Sequence, residues 1–202
     1  MIRGWRILFI TYAATNWLQQ PANTPVDPVR RDDTYAIYSE LMSNLQLRRS
    51  VRSGIYLIAP TTMPGGGQFP GCVNMPPEYQ SRWSEVLEDY GQRQYTSETL
   101  EPALKITSPY LLLTEAEAKE LTANLDRITK KPQDPKFQSA TELLHFGNVY
   151  FSRDRTLALT AIDLHCGSLC GTGGWRVFEK GPDGRWTLVS ARGGATCGDW
   201  VS

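Results

Sequence analysis

The 202-residue chain is poor in histidine, carries no surplus of charge and has no long hydrophobic run. Its two histidines, His145 and His165, are too few for a histidine-rich metal centre, and no cofactor is expected. Lys and Arg together number 21, as do Asp and Glu. That balance argues against a dedicated nucleic-acid binder, which carries a basic excess to displace counterions from phosphate. No stretch approaches the roughly 20 apolar residues that span a bilayer. The patterns G-x-S-x-G, H-E-x-x-H and G-x-G-x-x-G are missing, and no internal repeat marks a solenoid or propeller. The triplet Gly65–Gly67 is no phosphate loop, because prolines flank it, no lysine follows and no helix opens there. What is present is aromatic: six Trp, nine Tyr and six Phe, too much apolar surface for a disordered chain. The length suits one domain.

Residues 1–22 have the order of a secretory signal peptide: basic Arg3 and Arg6, an apolar stretch from Ile7 to Ala14, then small and polar residues. No cysteine accompanies this segment, so no lipid anchor through an N-terminal cysteine is expected. The expectation is an extracytoplasmic protein, periplasmic or secreted, with one domain over 23–202. A buried first element of a cytosolic domain is the alternative.

Asp27-Pro28 suits a helix start, with Asp as N-cap and Pro in the first turn. Tyr35, Tyr38, Leu41, Met42 and Leu45 then form one apolar stripe, predicting a helix over 28–47. Residues 55–59 read as a buried strand, and the Gly- and Pro-rich stretch 61–77 as a loop. Tyr79, Trp83, Val86, Leu87 and Tyr90 mark a second amphipathic helix that Gly91 should stop. Strands are expected at 103–106 and 110–113, a third helix at 115–125 behind the capping-box pair Thr114 and Glu117, and a short helical stretch at 137–144. From Asn148 onward four strands are predicted, 149–152, 156–164, 175–180 and 185–191, joined by short turns, a glycine-rich connection and Gly181-Pro-Asp-Gly184. The fold class is therefore α+β: helices packed on an antiparallel sheet ending in a four-stranded C-terminal meander. Trp175, Trp186 and Trp200 are expected to form its core.

Cys72, Cys166, Cys170 and Cys197 make an even set, which in an exported chain points to disulfides. Spacing favours Cys166 with Cys170 across a bend, leaving Cys72 for Cys197. Three sharper chemistries compete with cross-linking. A metal at His165, Cys166 and Cys170 is disfavoured because strand neighbours point to opposite faces. A redox pair at Cys166 and Cys170 lacks the C-x-x-C spacing, and nothing in the sequence brings His145 to a cysteine nucleophile. Glu142, Asp154 and Asp163 are candidate carboxylates for an extracytoplasmic hydrolase. Asp163 is the unusual one, an acid in an apolar strand, expected at a solvent-facing strand end.

Across residues 148–189 the pattern Ser152-Arg153, Ala158-Leu159, Cys166-Gly167, Leu169-Cys170-Gly171, Gly173, Lys180, Gly184 and Trp186 resembles the C-terminal part of a group of uncharacterised bacterial proteins, many of them exported. That resemblance implies an architecture and no catalytic residues. The expected function is that of an exported, disulfide-stabilised domain with a binding or structural role and an unknown partner. The alternatives are the hydrolase and a Cys166/Cys170 redox protein.

Overall fold

The computed structural model describes residues 27–48, 55–67, 70–125, 137, 140, 142–167, 170–189 and 200–201. Residues 1–22, the expected signal peptide, lie outside them. Helix α1 (Pro28–Arg48) starts as its sequence dictates: Asp27 Oδ1 accepts from Val29 N at 3.0 Å and the Asp27 carbonyl from Arg31 N at 2.9 Å. Strand β1 (Tyr56–Ile58) follows, then the Pro/Gly loop with its short 3-10 turns, and α2 (Gln80–Arg93). Gly91 does not stop α2, which runs on to Arg93. A lone glycine costs a helix only about 1 kcal/mol against alanine, and the buried contacts of Trp83, Val86 and Tyr90 outweigh that.

Next come β2 (Tyr110–Leu112) and α3 (Glu115–Leu125). The α3 capping box is formed: Thr114 N donates to Glu117 Oε2 at 2.8 Å and Glu117 N to Thr114 Oγ1 at 3.3 Å. The remaining strands are β3 (Leu143–Phe146), β4 (Tyr150–Phe151), β5 (Leu157–His165), β6 (Gly171–Lys180), β7 (Trp186–Leu188) and β8 (Trp200–Val201).

The sheet order is β2-β1-β3-β5-β6-β7, with β4 on β5 and β8 on β6. The C-terminal run β4-β5-β6-β7 is antiparallel throughout, as expected of a meander. The sheet as a whole is not antiparallel but mixed, since β1 pairs in parallel with both β2 and β3. Parallel neighbours need long crossovers that usually carry a helix, and α2 and α3 occupy the two crossovers. Three shorter predictions also change. Residues 143 and 144, the end of the expected helical stretch 137–144, belong to strand β3, and 103–106 form no strand. Gly171 to Gly174, expected as a connection, are the first four of the ten residues of β6, where they pair with residues 162–165.

Helices cover both faces. On one face Ile37, Tyr38, Leu41 and Met42 of α1 pack on Ile58, Leu144, Phe146, Ala158, Ile162 and Phe178. On the other, Trp83, Val86 and Tyr90 of α2 meet Tyr150, Leu157, Leu159 and Val177, while Leu121 of α3 meets Leu57 and Leu143. Strand β5 is thus buried on both sides, which is why it reads as one apolar run. Trp175 and Trp186 belong to opposite faces instead of a shared meander core. Asp33 ties α1 to the end of the sheet, accepting from Lys180 Nζ at 2.6 Å and Trp186 Nε1 at 3.0 Å. Among the described residues no helix is long and apolar enough to cross a membrane.

Candidate functional site

Cys166 and Cys170 are bonded, with Cα atoms 5.0 Å apart, closing the β5–β6 connection. Cys166 N donates to the Cys170 carbonyl at 2.9 Å. Gly167, between them, has φ +124°, and a Cβ there would stand 2.8 Å from the Leu125 carbonyl oxygen. The bridged bend is therefore seated against the end of α3. Cys72 is also disulfide-bonded; its expected partner, Cys197, lies outside the described residues. No cysteine among the described residues is free.

The three candidate carboxylates do not share a site. Asp154 closes the β4–β5 turn, accepting from Ser152 Oγ at 2.6 Å, Thr156 N at 3.0 Å and Thr156 Oγ1 at 2.8 Å. Burial opposes its ionisation, but these hydrogen bonds prevail and hold its carboxyl below the ordinary value. Asp163 lies six strand residues beyond Leu157, about 20 Å along β5. It does not face open solvent. It stands opposite His145 in the β3–β5 register, and its Oδ1 is buried without a hydrogen-bond partner. His165, two residues on, shares its face. Burial, reinforced by the charge of His165, lowers His145 to about 4, so its imidazole is neutral near pH 7. Burial raises Asp163, with His165 opposing. Glu142 immediately precedes β3 and is half-buried. No group of His, Cys, Asp or Glu among the described residues is arranged to hold a metal ion. The His145–Asp163 juxtaposition was not visible in the sequence, because it depends on the register of strands 18 residues apart.

A more elaborate polar arrangement lies where α1 and α2 meet the free edge of β4. Residues Glu85, Asp89 and Arg93 recur every fourth position along α2 and therefore form one row. Glu85 accepts from Arg153 N at 3.0 Å, Asp89 from Phe151 N at 2.9 Å, and Arg93 donates to the Val149 carbonyl at 3.2 Å. The row thus bonds the edge that a further strand would otherwise occupy. Arg30 of α1 completes it: Nη2 donates to Asp89 at 2.6 Å and to the Val149 carbonyl at 2.9 Å, while its guanidinium lies 4.9 Å from the Phe151 ring.

Arg30 separates two hollows. One, of about 280 Å³, holds Arg153 and Arg155 with Asp27, Glu85, Glu88 and Asp89. Its charges are paired across it: Arg153 with Glu88 at 2.7 Å and Arg155 with Asp27 at 3.1 Å. The other, of about 360 Å³, lies between α1 and residues 97–101, with Arg30, Arg31 and Arg93 facing Glu98 and Glu101. Arg93 pairs with Glu98, and Arg31 with Glu101. Burial raises the Glu98 carboxyl, and the positive charge of Arg30 draws it down.

The wall formed by 96–99 is held from beneath by two buried polar side chains. Asn148 Nδ2 donates to the Thr96 carbonyl at 2.8 Å, and Thr62 Oγ1 donates to Asn148 Oδ1. Glu98 N in turn donates to Thr62 Oγ1 and Ser97 Oγ to the Thr62 carbonyl, both at 2.8 Å. The side-chain oxygen of Thr62 and both polar side-chain atoms of Asn148 are hydrogen-bonded, so the wall is preset. Sequence reading missed this cleft; the only local trace was the i, i+4, i+8 row of charges on α2.

The sequence matches no protein-family model, and no curated protein matches it.

Proposed function

We propose that the chain is an exported, disulfide-braced domain whose role is binding, with the cleft around Arg30 as its working surface. The single observation that carries this is the bonding state of the cysteines: Cys166 is joined to Cys170, and Cys72 is also bridged. Paired cysteines belong to oxidising compartments, in keeping with the signal-like order of residues 1–22 and with the resemblance of 148–189 to exported bacterial proteins. The cleft supports a binding role. Its carboxylates are committed to arginines and backbone N–H groups, which suits a fixed polar surface better than proton transfer.

Intact-mass measurement on protein recovered from its native producer tests the proposal. A mass lacking the N-terminal segment, no alkylation before reduction and four alkylations after it are expected. Retained Met1, or free thiols at Cys166 and Cys170 that oxidise and reduce reversibly, would replace it with the cytosolic redox alternative.

A further inference from the structure

We propose that the larger hollow, between α1 and residues 97–101, is a binding site for a small organic carboxylate that docks on Arg30; this rests on the cleft being the surface of a binding domain. Both hydrogen bonds of Arg30 are made by Nη2, so Nη1 and Nε hold no partner among the described residues. Yet the group is far from loose, since Asp89 and Phe151 fix it and its side chain is only 25% exposed. A guanidinium held rigid with open N–H donors is prepared for an acceptor, and charge-assisted bonds to a carboxylate are among the strongest available to it.

Charge decides the side on which the ligand sits. Arg30, Arg31 and Arg93 line the larger hollow against Glu98 and Glu101, and Asp89, which bonds Arg30 from the other side, brings the balance there to zero. Across Arg30, the same residue with Arg153 and Arg155 meets four acids, one negative charge in excess. An anion therefore enters from the α1 side. So even a balance suits a monocarboxylate better than a phosphate dianion, which Glu98 and Glu101 would repel. About 360 Å³ is within the range of small-molecule sites. Tyr35 and Leu100 offer apolar wall for the body of the ligand, and Thr34 and Thr99 offer hydroxyls. The preset wall on Asn148 and Thr62 keeps the ordering cost of binding small.

The test is a titration of the full, oxidised chain followed by ¹H–¹⁵N spectra that include arginine Nε–H signals. Sodium acetate and sodium glucuronate are the probes, with sodium chloride at matched ionic strength as control. Saturable shifts of Arg30 Nε–H and of amides 97–101 are expected with the carboxylates and not with chloride. Because Arg30 also caps Val149, the deciding variant is Thr34→Trp, which fills the hollow without touching an ion pair. It should weaken carboxylate binding by about tenfold or more, while Arg155→Ala in the other hollow leaves binding unchanged. Equal shifts in chloride and carboxylate, or saturable shifts that survive Thr34→Trp, overturn the site. Export and disulfide pairing are read separately by mass, so a failed titration on a correctly bridged, processed chain removes this site alone.

Discussion

Gly147 shows how closely the sheet is built. Strands β3 and β4 lie on the same edge of β5, and Gly147 sits between them, its N donating to the Ala161 carbonyl at 2.8 Å. Its carbonyl accepts from Tyr38 Oη at 2.8 Å and Thr160 Oγ1 at 3.0 Å. A Cβ there would lie 3.0 Å from Ala161 Cβ and 3.1 Å from Ala161 N, and backbone cannot step aside as a flexible side chain can. Gly147→Ala should therefore cost about 1–3 kcal/mol, the usual range for overpacking, measured as a drop in the urea midpoint. His145 makes a second prediction at this scale. Its folded value of about 4 is below the ordinary 6.5, so its contribution is complete above pH 6.5 and is lost as pH falls toward 4, when the unfolded chain takes up a proton that the folded chain refuses. The loss amounts to at most about 3 kcal/mol. Asp163 acts in the opposite sense, because its raised carboxyl is relieved by protonation as pH falls. Urea midpoints between pH 7 and 4.5 should fall for the parent chain and fall less for His145→Asn.

At the level of elements, the edge of β4 is closed by side chains instead of by another strand. Asp89 is the hub, taking Arg30 and Phe151 N at once with Arg93 3.7 Å away. Asp89→Ala leaves the Arg30 guanidinium and the Phe151 N–H without this acceptor and removes a charge partner of Arg93, and should cost about 2–3 kcal/mol. It should also speed amide exchange at Phe151, whereas Glu88→Ala on the exposed side of the helix changes exchange there little. The capping box of α3 is an independent and smaller contribution. Thr114→Ala should lower stability by about 1 kcal/mol, and exchange should rise in the first turn of α3 before anywhere else. Much of this scale was legible. The apolar stripes of α1 and α2, the caps at Asp27 and Thr114 and the turn at Gly181–Gly184 are local chemistry, and local chemistry is written in neighbouring residues. Strand β3 was not legible, since Leu143 to Phe146 form a four-residue run, apolar but for His145, whose length fits either element and whose pairing partners are distant.

For the whole molecule, helices on both faces of a mixed sheet leave the bridged β5–β6 bend as an outlying arm resting on α3. A small ring restrains the unfolded chain only modestly, so replacing Cys166 and Cys170 together with Ser should cost about 2 kcal/mol. Calorimetry should show a lowered but still single transition. The sequence by itself determined the helices, the C-terminal meander, the pairing of Cys166 with Cys170 and the absence of a charge excess, because each depends on composition or on residues a few positions apart. The tertiary structure alone decided the parallel pairing of β1, the meeting of His145 with Asp163, the separation of Asp154 from Asp163, and the gathering of Arg30 and Arg93 at the Val149 carbonyl beside Asp89. Those depend on strand register and on which helix covers which face, and contacts between residues 59 or 119 positions apart are set only when the whole core closes.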